Sequence, residues 1–299
     1  MSVTVRVPAK VNVQLAVGAA RPDGFHDLAN VFLAVGLHDE VTVTPADGLR
    51  VTCAGPDAGQ VPLDRTNLAA RAAIALAERH GLEPDVHLHI AKDIPVAGGM
   101  AGGSADGAGA LLACDALWGT GASRAELLDI CAELGSDVPF SLVGGAALGT
   151  GRGEKLRPLD VGGTFSWVFA MAERGLSTPA VFREFDRLTA GLDVPEPVAA
   201  EALLDALAEG DPDALAAAVS NDLQPAALSL FPELADTLAA GSAAGALAGL
   251  VSGSGPTTAF LARDPESAAR IADALRASGT CRAVRTASGP VPGATVMGA

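Results

Sequence analysis

Lysine is scarce in this chain: of its 20 basic residues, only Lys10, Lys92 and Lys155 are lysine. Against such a bias toward arginine, each lysine marks a place that wants a compact, mobile ammonium rather than a planar fork. Positive charge as a whole is in deficit, with a formal net charge of −15 at pH 7. No basic stripe is available to release counterions from a polyanion, which excludes nucleic acid and an acidic membrane surface as partners. Aromatics make up only 4% of the residues, so the mean hydropathy of +0.34 comes from Ala, Val and Leu. Cys53, Cys114, Cys131 and Cys281 are scattered and form no C-x-x-C pair. That spacing excludes a disulfide framework and a cysteine zinc site and suits a reducing cytoplasm. The opening MSVTVRVPAK lacks the apolar core of a secretory signal, so a cytoplasmic location is expected. The uncharged run from Thr237 to Ala262 holds many Gly, Ser and Thr plus Pro256, which suits a buried strand between tight turns and not a helix in lipid.

What the chain does have is glycine in one place. Ile94 to Leu117 reads IPVAGGMAGGSADGAGALLACDAL, with Gly98, Gly99, Gly102 and Gly103 leading into an Ala-rich helical run. Glycine-dense backbone can approach a ligand closely, and the helix that follows aims its first-turn N–H groups and positive dipole end at whatever the loop holds. An anion is expected there, most naturally phosphate. Two common phosphate motifs fail on spelling. No lysine follows Gly103, so this is not a P-loop, and G-G-x-x-G-G is not the G-x-G-x-x-G of a dinucleotide fold. The plain alternative is a small-residue turn packed against neighbouring backbone.

At 299 residues the chain has room for two domains. Val3, Val5 and Val7, then Val11, Val13, Leu15 and Val17, alternate as a strand pair or one bent strand, with Lys10, Asn12 and Gln14 on the opposite face. A solvated face is the ordinary reading of such a trio, and the shortage of lysine shifts the preference toward function. Asp23-Gly24 makes a tight turn before Phe25-His26, a pair that either packs or grips a flat heterocycle. Strands are expected at Leu28 to Val35, Glu40 to Thr44 and Leu49 to Cys53, and a helix at Asn67 to His80. His87 and His89 share a strand face with no third metal ligand evident. Lys92 leaves that strand within reach of a nucleotide.

Ser123 to Leu134 reads as a helix, after which Asp137-Val138-Pro139 turns directly into a strand. Asp137 is either a turn or cap residue or a catalytic carboxylate mounted at an element's edge. Arg152 to Gly163 has turn composition and marks the domain junction, giving domains 1–153 and 154–299. Further on, a strand is expected at Phe165 to Met171 and a helix from Ser177 carrying Phe182 and Phe185. Two or three helices fall between Pro197 and Ala240. A strand, glycine turn and strand follow over Gly249 to Leu261, then a helix at Asp264 to Ser278 and a strand at Thr280 to Thr286. The Gly- and Pro-rich tail from Ser288 is expected to be loose.

Three motifs then coincide in order and spacing: PAKVNVQLAVG at Pro8 to Gly18, PVAGGMAGGSAD at Pro95 to Asp106, and VSGSGPTTAF at Val251 to Phe260. Together they resemble the three signatures of the GHMP kinases, the galactokinase, homoserine, mevalonate and phosphomevalonate kinase superfamily. The resemblance covers nearly the whole chain. It implies an α+β fold, with an N-terminal S5-like α/β domain containing a left-handed crossover and a C-terminal ferredoxin-like domain. RPDGFHDL and GSDVPF make the chain similar to the branch that phosphorylates a cytidine-diphosphate-linked methylerythritol with ATP, in non-mevalonate isoprenoid synthesis.

By matching motif, the resemblance makes Lys10 and Asp137 the catalytic pair. It gives the ATP phosphates to Pro95, Val96, Ala97, Gly98, Gly99, Met100, Ala101, Gly102, Gly103, Ser104 and Ala105, and places Lys92 toward the base or ribose. Asn12 would hold substrate, Phe25 and Phe182 would sandwich the cytosine, His26 would hydrogen-bond it and Thr178 would line the acceptor site. Mg²⁺ is implied with ATP, without an assigned protein ligand, in a monomer or homodimer.

Several positions depart from the family pattern. Ala97 and Ala101 stand where the family has glycine, and a positive φ at either would strain it by about 1–2 kcal/mol. Ala105 replaces a serine, Phe25 a tyrosine and Asp106 an asparagine, the last open to Mg²⁺ binding or to complementing the helix dipole. Two other readings stay in view. Another small-alcohol kinase of the superfamily, such as a homoserine kinase, would have no flat ring for Phe25-His26 to meet. A regulatory module would bind ATP without turnover.

Overall fold

The computed structural model describes residues 2–96 and 98–298. Its first sheet grows from a long antiparallel hairpin, β1 (Val3–Ala20) and β2 (His26–Pro45). Gly24, at φ +81°, supplies the left-handed residue of the connecting turn. The two strands expected between Leu28 and Thr44 are one, because both halves pair with the same partner: Pro8 lies opposite His38 and Ala9 opposite Val35. The irregularity is absorbed as register shifts after Pro8 and between Asn12 and Gln14. β3 (Arg50–Ala54) runs parallel to β4 (Val86–Ala91), which pairs with β2, and α1 (Leu68–His80) connects them. α1 begins under the Asn67 side chain, which accepts from the Ala69 N–H, and ends on Gly81 in the left-handed region.

After the glycine loop, α2 (Gly102–Trp118) lies buried across β1 and β2. Its closeness is set by Gly109, where an added Cβ would stand 2.9 Å from methyls of both Val7 and Val41. α3 (Arg124–Leu134) follows its Ser123 cap. Asp137 then leads into α4 (Val138–Val143) and not directly into a strand, because Pro139 in the first turn is preset for helix and has no N–H to satisfy. β5 (Ala146–Thr150) pairs with β2, and β6 (Lys155–Pro158), inside the stretch expected to be only turn, pairs with β5.

The second sheet opens with β7 (Phe165–Met171), every residue of it buried. α5 (Thr178–Thr189) follows, then four helical pieces where two or three were expected. These are α6 (Glu201–Glu209), α7 (Pro212–Ala218), α8 (Gln224–Leu230) and α9 (Leu234–Ala243), with the two-residue β8 (Ser220–Asn221) between α7 and α8. The break between α6 and α7 is local chemistry. Gly210 ends the first at φ +72°, and Asp211 caps the second by accepting from the N–H groups of Asp213 and Ala214. β9 (Ala248–Val251), β10 (Thr258–Ala262), α10 (Pro265–Ser278) and β11 (Ala283–Gly289) complete the half. The sheet order β11-β7-β10-β9, antiparallel throughout, places the first strand beside the last, as in a ferredoxin-like unit.

The tail expected to be loose is tied down. Val291 donates to the Ala34 carbonyl and accepts from the Gly145 N–H, and β12 (Thr295–Val296) pairs with the free edge of β1. β8 pairs with β1 as well, so the C-terminal half returns to the first sheet twice. The uncharged run from Thr237 supplies the end of α9, β9 and β10. Among the described residues no helix is long and apolar enough to cross a membrane.

Candidate active site

On β1, Lys10 and Asn12 point the same way, as period two requires, toward the glycine loop. The Lys10 ammonium donates to Asn12 Oδ1 at 2.5 Å and to the Gly99 carbonyl at 2.8 Å. It stands 3.6 Å from Asp137 Oδ2, an ion pair longer than a hydrogen bond. Asn12 in turn donates to Asn30 Oδ1 at 2.6 Å, which fixes its amide orientation. The Lys10 side chain is 5% exposed and that of Asp137 31%. Burial therefore pushes the Lys10 pKa below its ordinary value, with the Asp137 charge opposing. Asp137 sits at the N-cap position of α4 without capping it, so its carboxylate is free for other work. Gln14 leaves the group: the bulge after Asn12 turns it toward the segment before α6, where it bonds the Val198 carbonyl and the Ala200 N–H.

The loop between β4 and α2 forms the next wall. Ala101 caps α2 at φ +61°, the only non-glycine with positive φ among the described residues, so this alanine carries the strain anticipated for it. Gly99, at φ +72°, is pressed so close that a Cβ would lie 2.1 Å from the Ser252 carbonyl oxygen. Its own carbonyl takes hydrogen bonds from Lys10 and from the Ser252 hydroxyl. Pro95, Gly98, Gly99, Ala101, Gly102, Gly103 and Ser104 line a cavity of about 700 Å³ that also contains Lys10, Asn12 and Asp137.

Three other loop residues do not line that cavity. Met100 and Ala105 are fully buried in the core beneath it, and Val96 faces away, donating its N–H to Asp57. Ala97 lies outside the described residues. The expectation that Lys92 reaches a nucleotide does not hold in this geometry. Its ammonium is buried between Asp39 at 2.5 Å and Asp106 at 2.8 Å. Burial pulls the Lys92 pKa down, but the two carboxylates outweigh it and the net shift is upward. Asp106 is thereby closed to the cavity as well. Its carboxyl pKa is pushed up, first by burial and then by Asp39, with Lys92 opposing. The other Asp39 oxygen accepts from the N–H groups of Asp93 and Ile94, so the cluster anchors the start of the loop.

Phe25, His26, Thr178 and Phe182 line the far side of the same cavity. Phe25 is half exposed, with the Arg152 guanidinium 4.9 Å over its ring. His26 is buried, stacks on Phe182 at 5.0 Å and meets Asp186 through Nε2 at 2.8 Å. The Thr178 and Ser254 hydroxyls lie 2.8 Å apart. Sequence reasoning missed Asn30, Arg152, Asp186 and Asn221. Asn221 donates to the carbonyls of Val251 and Gly253 and so shapes the SGSGP turn, yet nothing local in the sequence marks it. His87 and His89 share the Thr52 hydroxyl, and the described residues hold no cluster of three or more metal-binding side chains.

A bare main-chain cradle at the start of a 17-residue helix fits a phosphate chain. For a divalent ion arriving with it, Ser104 and Asp137 are among the oxygen donors on the cavity wall.

The geometry thus defines a phosphotransferase type of site, and the comparisons agree. The family model described as GHMP kinases N terminal domain matches residues 67–145, and that described as GHMP kinases C terminal matches 203–281. A Streptomyces coelicolor protein named 4-diphosphocytidyl-2-C-methyl-D-erythritol kinase is 84% identical over 298 residues, covering 99% of this chain and 100% of that one. The chain belongs to the GHMP kinase family. A crystal structure of 4-(cytidine 5'-diphospho)-2C-methyl-D-erythritol kinase superposes with a TM-score of 0.78 at 35% identity, over 95% of this chain and 98% of that one. Homoserine kinase from Cytophaga hutchinsonii reaches a TM-score of 0.74 at 21% identity, over 99% and 97% of the two chains, which shows the shared fold alone.

Proposed function

We propose that this protein transfers the γ-phosphoryl group of ATP to the 2-hydroxyl of 4-diphosphocytidyl-2-C-methyl-D-erythritol, giving the 2-phosphate and ADP. The observation that carries this reading is the meeting of three features in one cavity: a glycine cradle, the Lys10 and Asp137 pair, and an aromatic wall of Phe25 and Phe182. The 84% identity to the Streptomyces coelicolor kinase, over 99% of this chain, supports the choice of acceptor.

Phosphoryl transfer asks a protein for positioning and electrostatics more than for covalent chemistry. The cradle amides and Ser104 hold the phosphate chain. Asp137 accepts the proton of the 2-hydroxyl as its oxygen bonds to the γ-phosphorus, and ADP leaves with the electron pair of the broken bond. Lys10, 3.6 Å from Asp137, faces the charge that builds on the transferring group. Asn12, fixed by Asn30, keeps the ammonium aimed. Mg²⁺ bound to ATP would neutralise phosphate charge, and Ser104 and Asp137 on the cavity wall could hold it. Phe25 and Phe182 would enclose the cytosine, His26 would meet its edge, and Thr178 would line the acceptor side. The four free thiols fit a reducing compartment, and we assign the enzyme to the cytoplasm.

The test is ADP release by the purified protein with diphosphocytidyl-methylerythritol, homoserine or mevalonate as acceptor. Turnover confined to the first, with CMP competing against it, is the expected result. Turnover on homoserine, or nucleotide binding without turnover on any acceptor, would overturn the proposal.

A further inference from the structure

The glycine loop has a second side. Pro95 and Gly98, which line the large cavity, also line a small one of about 70 Å³ whose other walls include Gln60, Thr257 and Arg282. Arg282, next to β11, sits at the foot of this space and is held on its own half by donating Nε to the Ala172 carbonyl at 3.1 Å. Its Nη2 reaches across to the first half and donates to Asp57 Oδ2 at 2.7 Å. That same oxygen accepts the N–H of Val96 at 3.3 Å, inside the loop itself. Asp57 is almost fully buried, and its pKa is held below the usual carboxylate range, first by the hydrogen bond from Arg282. A parallel, more exposed pair joins Arg285 on β11 to Asp93 at 3.5 Å.

The loop is therefore gripped from two directions. Asp39 holds its start at Asp93 and Ile94 from the first sheet, and Arg282 holds Val96 through Asp57 from the second. We propose that Arg282, acting through Asp57, is a positioning residue for the nucleotide loop, setting its path to fit the phosphate chain without touching the nucleotide. This rests on the reading that the loop holds ATP. Without Arg282, the Asp57 carboxylate keeps, among the described residues, the Val96 N–H and the Gln60 amide, each at 3.3 Å, and loses its ion-pair partner.

The test uses the full chain carrying Arg282→Ala, Arg282→Lys, Asp57→Asn and the Arg282→Ala/Asp57→Asn pair. Steady-state kinetics are read together with ADP binding by calorimetry. Arg282→Ala should raise the KM for ATP and the Kd for ADP about tenfold, leave kcat and the acceptor KM within about twofold, and combine non-additively with Asp57→Asn. Arg282→Lys, which keeps the charge and loses the fork, should recover part of the ADP affinity and carries the test if the alanine variant does not fold. Unchanged ADP affinity, equal weakening of both substrates, or full additivity would overturn the proposal. Wild-type protein that binds no ADP would remove the nucleotide reading, and the proposal with it.

Discussion

Two of the three lysines, Lys10 and Lys92, are equally buried and face carboxylates, yet their environments push them in opposite directions. Lys92 lies between two buried carboxylates within hydrogen-bond distance, and its charge is held more firmly than in water. Lys10 has one carboxylate at 3.6 Å, itself partly exposed, and neutral amide and carbonyl partners nearer by, so burial prevails and its charge is undercompensated. A saturated ammonium is a fastener. An undersaturated one has attraction left for negative charge that develops during a reaction, which is where transition-state stabilisation comes from. The difference teaches that burial alone does not separate the lysine proposed for catalysis from the one that fastens the loop; the count and closeness of their counter-charges does.

The comparison can be broken most severely at Asp137. Asp137→Asn keeps the shape, removes the proposed base and should lower kcat about 10²- to 10⁴-fold, measured as ADP release, with little change in melting temperature. Lys92→Met should do the reverse. It strands two buried carboxylates and should destabilise the fold by about 3–5 kcal/mol in urea denaturation.

Alkaline pH sharpens the contrast by sign. With the folded pKa of Lys10 below 10.5, the unfolded chain binds more protons between the two values, so this group makes stability rise with pH in that window. With the folded pKa of Lys92 above 10.5, its contribution is full below that value and is lost as pH rises through the folded pKa. Melting temperatures followed upward from about pH 8 should show the rise vanish in Lys10→Met and the late fall vanish in Lys92→Met. The smallest effect lies in the loop both lysines support. Ala101→Gly relieves the positive φ but frees the unfolded chain, and should shift stability by no more than about 1 kcal/mol, in the stabilising direction.

How much of this was legible follows from the range of the forces involved. α1 and β7 were readable because a cap, a terminal glycine or an unbroken apolar run is local. Lys10 and Asn12 were readable as one face because period two holds as far as Asn12. Gln14 was misplaced with them because the bulge just beyond turns on pairing with β2. The role of Lys92 was hidden, since Asp39 lies 53 residues away in sequence and nothing in its surroundings announces an ion pair. The tail looked loose because its partners, Ala34, Gly145 and the edge of β1, are supplied by the fold and not by neighbours. Asp137 was recognisable by motif. Its freedom from capping, which leaves the carboxylate available, emerged only with α4.

The central claim is that the ammonium of Lys10 acts on the transferring phosphoryl group, and the most direct measurement is kcat for ADP release by Lys10→Met with saturating ATP and diphosphocytidyl-methylerythritol, alongside its melting curve. The expected result is a loss of at least about 100-fold with the melting temperature preserved. A correctly folded variant turning over at the wild-type rate would contradict the account.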